Sequence, residues 1–336
     1  MILVTGGAGY IGSHCVLALI KAGHDVVIFD SLELGHKEII DKLKSLKYKG
    51  EVVDFILGDL KNIEEIKEVF QKHKIESVIH FAAYSQVGES MKDPEKYYYN
   101  NVYGTLNLLK IMKENEVDKI VFSSTAATYG EPKYTPIDEQ HPQEPINPYG
   151  NSKLMVEKIL DDYNRAYNLR SVRLRYFNVV GADIESRIGE WHNIETHLVP
   201  NILKSTFSDS KVFEIYGDDY PTPDGTCIRD YIDVEDLASA HILALKYLQN
   251  NGETCYLNLG TNNGNSVKEV FNICKEVTCK NILVNIKSRR EGDPCILVAD
   301  NKKALEILGW SPEYSLEKSV KSAYEWEKVQ QKRVCV

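Results

Sequence analysis

Residues 2–12 read ILVTGGAGYIG, a short apolar run that leads directly into three glycines spaced three residues apart. The run predicts a buried strand, and the residues that follow predict a helix near 12–22. Gly6 would permit the tight turn, Gly9 would let the backbone approach a pyrophosphate, and Gly12 would let the helix pack on the strand. The helix N-terminus would supply N–H donors to the anion. We therefore predict a dinucleotide-binding loop, against the alternative of a purely structural turn.

The second predicted strand leads to Asp30, whose carboxylate can accept a hydrogen bond from an adenosine ribose. A 2'-phosphate at that place would be repelled, and no arginine follows directly. The sequence therefore predicts NAD as the cofactor, although His36 and Lys37 leave NADP open. Asp59 and Asn100 are placed to line the same cofactor, with ordinary surface positions as the alternative.

Short apolar runs alternate with helix-length amphipathic stretches through the first half of the chain, which is typical of a parallel sheet covered by helices. Six strands are predicted, at residues 2–5, 25–29, 52–57, 77–81, 119–123 and 171–176. Helices are predicted near residues 12–22, 62–73, 96–115 and 149–168. We expect an α/β fold with a Rossmann-type, doubly wound parallel sheet over residues 1–178, to which residues near 230–260 return. Residues 179–336, with loops rich in Pro, Gly and Asp, are expected to form a smaller mixed α/β substrate domain.

The composition of the 336 residues argues against several classes of function. With 43% apolar and 26% charged residues, it is typical of a globular protein. A net charge of -9 argues against a broad nucleic-acid surface, and no run approaches the ~18 apolar residues that a membrane span needs. The N-terminus carries no signal-peptide pattern, so a cytoplasmic protein is expected.

Cysteine and histidine spacings give no sign of a metal. The seven cysteines are scattered, with no C-x-x-C pair, and are expected to be reduced thiols. His192 and His197 are five residues apart rather than the four that would align them on a helix. No metal site is predicted.

Tyr149 and Lys153 are spaced to share one face of a predicted helix. Four Tyr-x-x-x-Lys pairs occur, but one contains a proline and two lie in a charged C-terminal helix, so these three are interpreted as surface. Tyr149 alone follows a hydroxyl cluster, residues 123–125, at the end of a predicted strand. That edge is where ligands bind in open α/β sheets.

The lysine charge would lower the pKa of the Tyr149 phenol. Bringing that pKa from about 10 to near 7 requires roughly 4 kcal/mol. An ammonium about 5 Å away contributes about 3 kcal/mol at an effective dielectric near 20, and a positively charged nicotinamide would add to it. Tyr149 is therefore predicted to remove a hydroxyl proton while hydride leaves the same carbon, and Lys153 to hold the nicotinamide ribose as well.

Eight segments spread over nearly the whole chain carry a resemblance to a known family. They are TGGAGYIGSH at 5–14, HFAAYSQVGES at 80–90, FSSTAATYG at 122–130, NPYGNSKLMVE at 147–157, RYFNVVGA at 175–182, YGDDYPTPDGTCIRDYIDVEDLA at 216–238, LNLGTNNGNSV at 257–267 and RREGDP at 289–294. Together they resemble the UDP-glucose 4-epimerase family of the extended short-chain dehydrogenase/reductase superfamily. Related dehydratases place an acidic pair after the serine-threonine cluster, where this chain has Ala126-Ala127.

The resemblance implies reversible inversion at C4 of UDP-galactose and UDP-glucose, through a 4-keto sugar and an NAD that is regenerated in each turnover. It implies Tyr149 as the acid/base, Thr125 as the hydroxyl that bonds the sugar O4, and Lys153 as the electrostatic partner. The expected cofactor contacts are Gly6, Gly9, Tyr10, Ile11, Gly12, Asp30, Ser31, Asp59, Leu60, Phe81, Ala82, Ala83, Asn100, Ser123, Tyr149, Lys153 and Tyr176. The expected UDP-sugar contacts are Thr125, Tyr149, Asn178, His197, Leu198, Tyr216, Arg229, Tyr231, Arg290, Asp293 and Leu297.

Within that set, Arg229 and Arg290 would clamp the diphosphate, because a guanidinium fork matches phosphate oxygens. A surface ion pair is the alternative for either arginine alone. Tyr216 would stack on uracil, and Asp293 would accept from the uridine ribose. Leu297 stands where the family limits N-acetyl groups, between the small residue that admits them and the tyrosine that excludes them, so UDP-N-acetylhexosamines stay open as substrates.

Two further departures from the family pattern affect the site. Residues 31–34 read SLEL in place of an Asn-rich turn, and Ser85 stands where some members have lysine. Two other functions stay open: an NAD-dependent nucleotide-sugar oxidoreductase that releases its cofactor, and a non-catalytic dinucleotide-binding regulator, which would need neither Tyr149 nor Thr125.

The expected partners are a UDP-sugar and a second copy of the chain, with no nucleic acid and no membrane. Family resemblance implies a homodimer through a helical bundle. The predicted helix at 149–168 carries Met155, Ile159, Tyr163 and Ala166 along one stripe. The alternative is that the stripe packs only on its own sheet.

Overall fold

The computed structural model describes residues 1–207, 212–289 and 294–334. The strands are β1 (Ile2–Thr5), β2 (Val26–Asp30), β3 (Val52–Leu57), β4 (Ser77–His80), β5 (Lys119–Thr125), β6 (Arg170–Tyr176), β7 (Asn178–Val180), β8 (Phe213–Tyr216), β9 (Ile228–Asp233), β10 (Cys255–Leu259), β11 (Gly264–Ser266), β12 (Val284–Lys287) and β13 (Ile296–Leu297). The helices are α1 (Tyr10–Ala22), α2 (Lys37–Ser45), α3 (Ile63–Lys72), α4 (Val87–Ser90), α5 (Pro94–Tyr97), α6 (Gly104–Glu114), α7 (Pro148–Tyr167), α8 (Leu198–Ser205), α9 (Val234–Gln249), α10 (Val267–Thr278), α11 (Lys302–Leu308) and α12 (Leu316–Val334).

Seven parallel strands form the main sheet, in the order β10-β6-β5-β4-β1-β2-β3. From β1 the chain builds one edge through β2 and β3, then returns to the other side of β1 at β4. The direction of building therefore reverses between β1 and β4, and ligands bind at such a switch point, outside the carboxyl ends of the strands. The predicted α/β, doubly wound Rossmann-type fold is confirmed.

Helices cover both faces of this sheet because its strands are apolar on both sides. One apolar core lies between the sheet and α1, α2 and α9, with Leu17, Ile40 and Leu237 among its buried side chains. The opposite core lies under α3, α6 and α7, with Val69 and Leu108. Helices therefore cover both faces of the sheet and leave the carboxyl ends of its strands for a ligand.

The six predicted strands match β1 to β6 within two residues. The structure adds α2, which sequence reasoning missed because its nine residues carry only three buried apolar side chains among charges. The helix predicted at 96–115 is divided: α5 ends at Tyr97, a π-helical stretch spans Tyr98–Tyr103, and α6 follows. Such wide turns occur often at functional sites, and here the stretch carries Asn100.

The second half of the chain contributes to the main sheet and also forms a separate apolar core. The strand β10 joins the main sheet at its edge and the helix α9 packs on it, whereas α8, α10 and α12 enclose a separate apolar core with Val199, Phe271 and Val320. The strand β9 pairs with β7, β11 and β13, and β8 pairs with β12. Among the described helices, none combines the length and the apolar character needed to cross a bilayer.

Candidate active site

A cavity of about 500 Å³ lies at the carboxyl ends of the main-sheet strands. Its lining includes Gly9 of the glycine loop, Tyr149 of α7 and Arg229 of β9. All the residues expected to contact the cofactor line it. The cavity therefore joins the glycine loop to the second half of the chain, where a nucleotide sugar is expected.

The three glycines of the loop play different parts. Gly6 has φ of +73°, and a Cβ on it would lie 2.6 Å from the Ala82 nitrogen, so the loop packs directly against the chain after β4. A Cβ on Gly12 would lie 2.1 Å from the Gly6 oxygen, which α1 could not accommodate. A Cβ on Gly9 would come no closer than 3.4 Å to protein atoms, and the room that Gly9 leaves is on the cavity wall. This division matches the needs of a pyrophosphate loop.

Asp30 connects the glycine loop to the end of β2. Its Oδ2 accepts from the Ala8 N–H at 2.9 Å and its Oδ1 from the Leu32 N–H at 2.8 Å. Burial raises the pKa of this carboxyl, and the two backbone N–H groups partly offset that rise. Because each oxygen has a second lone pair, the carboxylate can still accept from a ribose hydroxyl on the cavity side.

The two residues that left NADP open are engaged elsewhere. The His36 ring stacks on Trp191 with centroids 3.8 Å apart, and burial lowers its pKa. Lys37 Nζ lies 2.7 Å from Asp41 Oδ1 on the surface of α2. Neither arrangement is that of a phosphate-binding cation, which is consistent with NAD.

The start of α7 places the tyrosine and lysine in the cavity. Asn147 caps the helix by accepting from the Gly150 N–H at 2.8 Å, and Pro148 takes the first helical position. Tyr149 and Lys153 therefore lie one turn apart on the buried side of the helix. Lys153 Nζ donates to the Ser123 carbonyl at 2.7 Å, so α7 is held to the end of β5 at this point.

Burial has the largest effect on the pKa values of Tyr149 and Lys153. It raises the pKa of Tyr149, and the Thr125 hydroxyl lowers that pKa only in part. Burial also lowers the pKa of Lys153 to about 7, against a smaller opposing effect of Glu157. The direction for Tyr149 is thus opposite to the predicted one, because desolvation penalises the phenolate while Lys153 loses much of its charge near neutral pH. The protein alone holds Tyr149 as the neutral phenol.

A buried ion pair behind the hydroxyl cluster was missed by sequence reasoning. Glu157 follows Tyr149 and Lys153 at the same four-residue spacing and pairs with Arg175 at 2.5 Å. Its Oε1 also accepts from the Ser124 hydroxyl at 2.5 Å, and Arg175 donates to the Tyr129 hydroxyl at 2.9 Å. Burial opposes ionisation of Glu157, but Arg175 holds the pKa below its usual range. The repeat at 149, 153 and 157 was the available signal.

Four of the expected substrate residues from the second half of the chain line the same cavity: Asn178, His197, Arg229 and Leu297. Asn178 begins β7, and Arg229 and Leu297 are paired residues of β9 and β13. Three adjacent strands thus hold an amide, a guanidinium and an apolar side chain at one wall. Arg229 is buried, and its Nη1 donates to the Ile228 carbonyl at 2.9 Å.

Other expected substrate residues do not line the cavity. Tyr231 is buried in the core around α8, and Leu198 packs against that core from the first position of α8. Tyr216 ends β8, and its hydroxyl donates to Glu214 at 2.7 Å. Arg290 and Asp293 lie outside the described residues.

Sequence reasoning also missed wall residues. Ala126, Ala127, Phe177, Glu190 and His192 line the cavity, although none was expected to do so. Ala126 and Ala127 thus present small apolar side chains to the cavity directly after the serine-threonine cluster.

Comparison with known proteins gives consistent matches over nearly the full chain. The family described as GDP-mannose 4,6 dehydratase matches residues 3–323. A UDP-glucose 4-epimerase of Halalkalibacterium halodurans is 50% identical over 328 residues, which cover 97% of this chain and 95% of that protein. The structure of UDP-glucose 4-epimerase from Bifidobacterium longum in complex with NAD+ and UDP has a TM-score of 0.90 at 39% identity, covering 98% of each chain. The UDP-Glc/GlcNAc 4-epimerase of Campylobacter jejuni has a TM-score of 0.84 at 41% identity, covering 98% of this chain and 99% of that one.

Proposed function

The chain belongs to the UDP-glucose 4-epimerase family of the extended short-chain dehydrogenase/reductase superfamily, and from that premise we propose that Tyr149, Lys153 and Thr125 carry out its catalysis. The enzyme uses NAD to invert C4 of UDP-galactose and UDP-glucose reversibly through a 4-keto sugar. One observation supports the catalytic assignment above the others. The three side chains line one cavity, between the glycine loop and the wall that holds Asn178 and Arg229.

The residues of this group have distinct tasks at the sugar O4. Tyr149 takes the O4 proton as the C4–H bond breaks, and returns it when hydrogen is restored to the other face of C4. Thr125 holds O4 by a hydrogen bond, which keeps the proton path short. Bound NAD supplies the hydride acceptor and, in its oxidised form, a positive charge that favours the Tyr149 phenolate. Lys153 holds the nicotinamide ribose and adds its own partial charge.

We propose that the residues around the glycine loop bind NAD in two groups. The first group holds the pyrophosphate and adenosine: Gly6, Gly9, Tyr10, Ile11, Gly12, Asp30, Ser31, Asp59, Leu60 and Asn100. The second lines the nicotinamide side: Phe81, Ala82, Ala83, Ser123 and Tyr176. A contact between the Ser123 and Tyr176 hydroxyls supports their placement together.

The nucleotide half of the substrate is assigned to the wall formed by β7, β9 and β13. Asn178, Arg229 and His197 are proposed to contact the diphosphate side. Leu198, Tyr216, Tyr231, Arg290 and Asp293 complete the proposed UDP site, with support only from the family resemblance. We also propose that the chain divides functionally into an NAD-binding part, residues 1–178 with a return near 230–260, and a UDP-sugar-binding part, residues 179–336.

The catalytic assignment is tested with Tyr149→Phe and, as a matched control on the same helix, with Tyr167→Phe, because residue 167 is 51% exposed. Each purified protein is incubated with UDP-galactose without added cofactor, and UDP-glucose formation and absorbance of reduced nicotinamide are followed. Tyr149→Phe should retain NAD and lose about 10²- to 10⁴-fold in turnover, because the proton relay is removed. Tyr167→Phe should match the unmodified enzyme.

Turnover of Tyr149→Phe within a few-fold of the control would refute the assigned role. Accumulation of reduced nicotinamide in proportion to substrate would instead indicate net oxidation of the nucleotide sugar. UDP-glucose formation without such accumulation supports a retained, recycled cofactor.

UDP-N-acetylhexosamines are a second proposed substrate class. Leu297 lines the cavity and packs against the small apolar cluster that includes Ala126 and Phe177, so its size limits the room beside the sugar. Leucine leaves more space there than tyrosine does. Conversion of UDP-N-acetylgalactosamine to UDP-N-acetylglucosamine by the purified enzyme tests this proposal.

We further propose that the enzyme is a cytoplasmic homodimer. Tyr99 and Tyr103 stack at 5.0 Å between ring centroids, yet both are exposed, and Met155 of α7 is exposed as well. We propose that a second copy covers these exposed apolar side chains. The described cysteines are unpaired thiols, in keeping with a reducing compartment. Sedimentation of a monomer at micromolar concentration would contradict the dimer.

A further inference from the structure

Four ligand-type side chains converge in the loop between β7 and α8: Glu190, His192, Glu195 and His197. Their donor atoms all lie within 4.8 Å of one another. His197 Nδ1 is 2.7 Å from Glu190 Oε1 and 3.0 Å from Glu195 Oε1. His192 Nδ1 is 3.3 Å from Glu190 Oε1 and 3.6 Å from Glu195 Oε2. We call this group the loop quartet.

The geometry points to a divalent transition-metal site of the Zn²⁺ class. Zinc binds imidazole nitrogen and carboxylate oxygen at about 2.0–2.2 Å, so neighbouring ligands at the corners of a tetrahedron lie about 3.3 Å apart. The four histidine–carboxylate distances of the loop quartet, 2.7 to 3.6 Å, fall on both sides of that value, and the remaining donor pairs, which lie within 4.8 Å, would close around a bound ion. We propose that the loop quartet binds one such ion.

Charge and solvation favour a cation at this place. Glu190 is buried, and a carboxylate removed from water needs a positive partner. His192 Nδ1 is shielded from solvent and has no aligned hydrogen-bond partner among the described residues. The two carboxylates already hold both imidazoles as ion pairs, and a divalent ion would take the place of the two imidazole protons and leave the group neutral. The ion would therefore neutralise the buried carboxylate and give His192 Nδ1 an aligned partner.

The backbone of the loop is held in place by contacts outside the quartet. The Glu190 carbonyl accepts from Trp326 Nε1 at 2.8 Å, and the Glu195 carbonyl accepts from Asn201 Nδ2 at 3.3 Å. Lys204 Nζ lies 3.5 Å from Glu195 Oε2 and can balance that carboxylate from outside. Ligands carried on a fixed backbone lose little freedom when an ion binds.

The site has a position distinct from the catalytic group. Glu190, His192 and His197 line the cavity wall, as does Tyr10 from the start of α1. An ion held through His197 Nδ1 would brace the wall beside the glycine loop, would leave the other ring nitrogen of His197 for the diphosphate, and would take no part at the sugar C4. A metal site on a helix would place two histidines four residues apart. That criterion does not detect His192 and His197 because residues 190–197 are irregular in structure.

The test uses the untagged holoenzyme, dialysed against Zn²⁺ and then against metal-free buffer, with metal content measured by plasma mass spectrometry. One Zn²⁺ per chain is expected. His192→Ala and the nearly isosteric Glu195→Gln should each weaken Zn²⁺ binding by more than the ten- to hundredfold that loss of an outer-sphere partner costs. The control is His73→Ala, which removes a histidine paired with Asp54 at 2.9 Å and should keep the ion.

A second readout keeps the test independent of folding defects. Co²⁺ in place of Zn²⁺ should give the intense visible absorption of a tetrahedral complex in the unmodified protein and in His73→Ala, but not in Glu195→Gln. Zn²⁺ well below one equivalent, or equal binding by Glu195→Gln and His73→Ala, would overturn the proposal. In that case the two carboxylates are balanced by protonated histidines alone.

Discussion

The cofactor side and the substrate side of the cavity differ in how their residues are brought together. On the cofactor side, every expected residue lines the cavity, and most follow directly on the carboxyl end of a main-sheet strand. On the substrate side, Asn178, Arg229 and Leu297 line it, but Tyr216 and Tyr231 do not. A parallel sheet positions the residues after its strands by its own regularity, whereas the other wall depends on how small sheets and loops pack against it.

The largest expected effect is the loss of stability on the cofactor side when Gly12 is substituted. In Gly12→Ala the new Cβ would meet the Gly6 oxygen at 2.1 Å, so α1 must move away from β1. We expect the free energy of unfolding to fall by about 3 kcal/mol or more, since backbone on both sides leaves no flexible group to yield. Urea unfolding measures the loss, and NAD released from the purified protein shows whether the loop still binds.

Gly9→Ala is the matched control in the same loop. Gly9 has φ of -79° and ψ of 174°, which alanine adopts freely, and its Cβ would meet no protein atom closer than 3.4 Å. Its unfolding free energy should stay near that of the unmodified protein while its NAD content falls. Equal destabilisation by the two substitutions would contradict the separate parts assigned to these glycines.

The second effect separates the substrate side from the cofactor side. Arg229→Ala should raise KM for UDP-galactose about ten- to hundredfold, because hydrogen bonds to charged groups contribute about 1.5–3 kcal/mol. NAD content should not change. Arg229→Lys should recover only part of the loss, since an ammonium lacks the guanidinium fork. Loss of NAD in both variants would place Arg229 in the structural support of the whole cavity instead.

The third effect concerns the buried Lys153. Its pKa is lowered by burial from 10.5 to about 7, so between these values the unfolded chain holds a proton that the folded chain has lost. Stability should therefore rise with pH through this window, by about 1.4 kcal/mol per pH unit at most. The apo form of Lys153→Met should lack this contribution. Urea unfolding of both apo proteins at about pH 7, 8.5 and 10 measures the two slopes, and equal slopes would contradict the assignment.

The smallest expected effect is a change in substrate selectivity at Leu297. Leu297→Tyr should lower kcat/KM for UDP-N-acetylgalactosamine relative to UDP-galactose by about tenfold, since filling a pocket by a few atoms changes selectivity by 1–3 kcal/mol. Leu297→Ala should shift the ratio the other way. A ratio that is the same in both variants would remove Leu297 from the specificity wall.

Much of the site follows from local spacing, and the limits of that reasoning are specific. The helical repeat places Tyr149 and Lys153 together, and the same repeat reaches Glu157, which pairs with Arg175 across 18 residues. The direction in which the Tyr149 pKa shifts could not be obtained from spacing. That direction depends on how completely the folded chain excludes water from the phenol and the amine, and the degree of burial cannot be read from the sequence.

The sequence by itself determined the strand, glycine loop and helix of residues 2–22, six of the seven main-sheet strands and the Tyr149–Lys153 pair, because hydrophobic periodicity and glycine spacing set all of these within a few residues. Tertiary structure alone decided which residues of the second half reach the cavity, the neutral state of Tyr149 and the meeting of the loop quartet. Those features depend on burial and on packing between distant segments. Charge, solvation and distance there are properties of the folded chain.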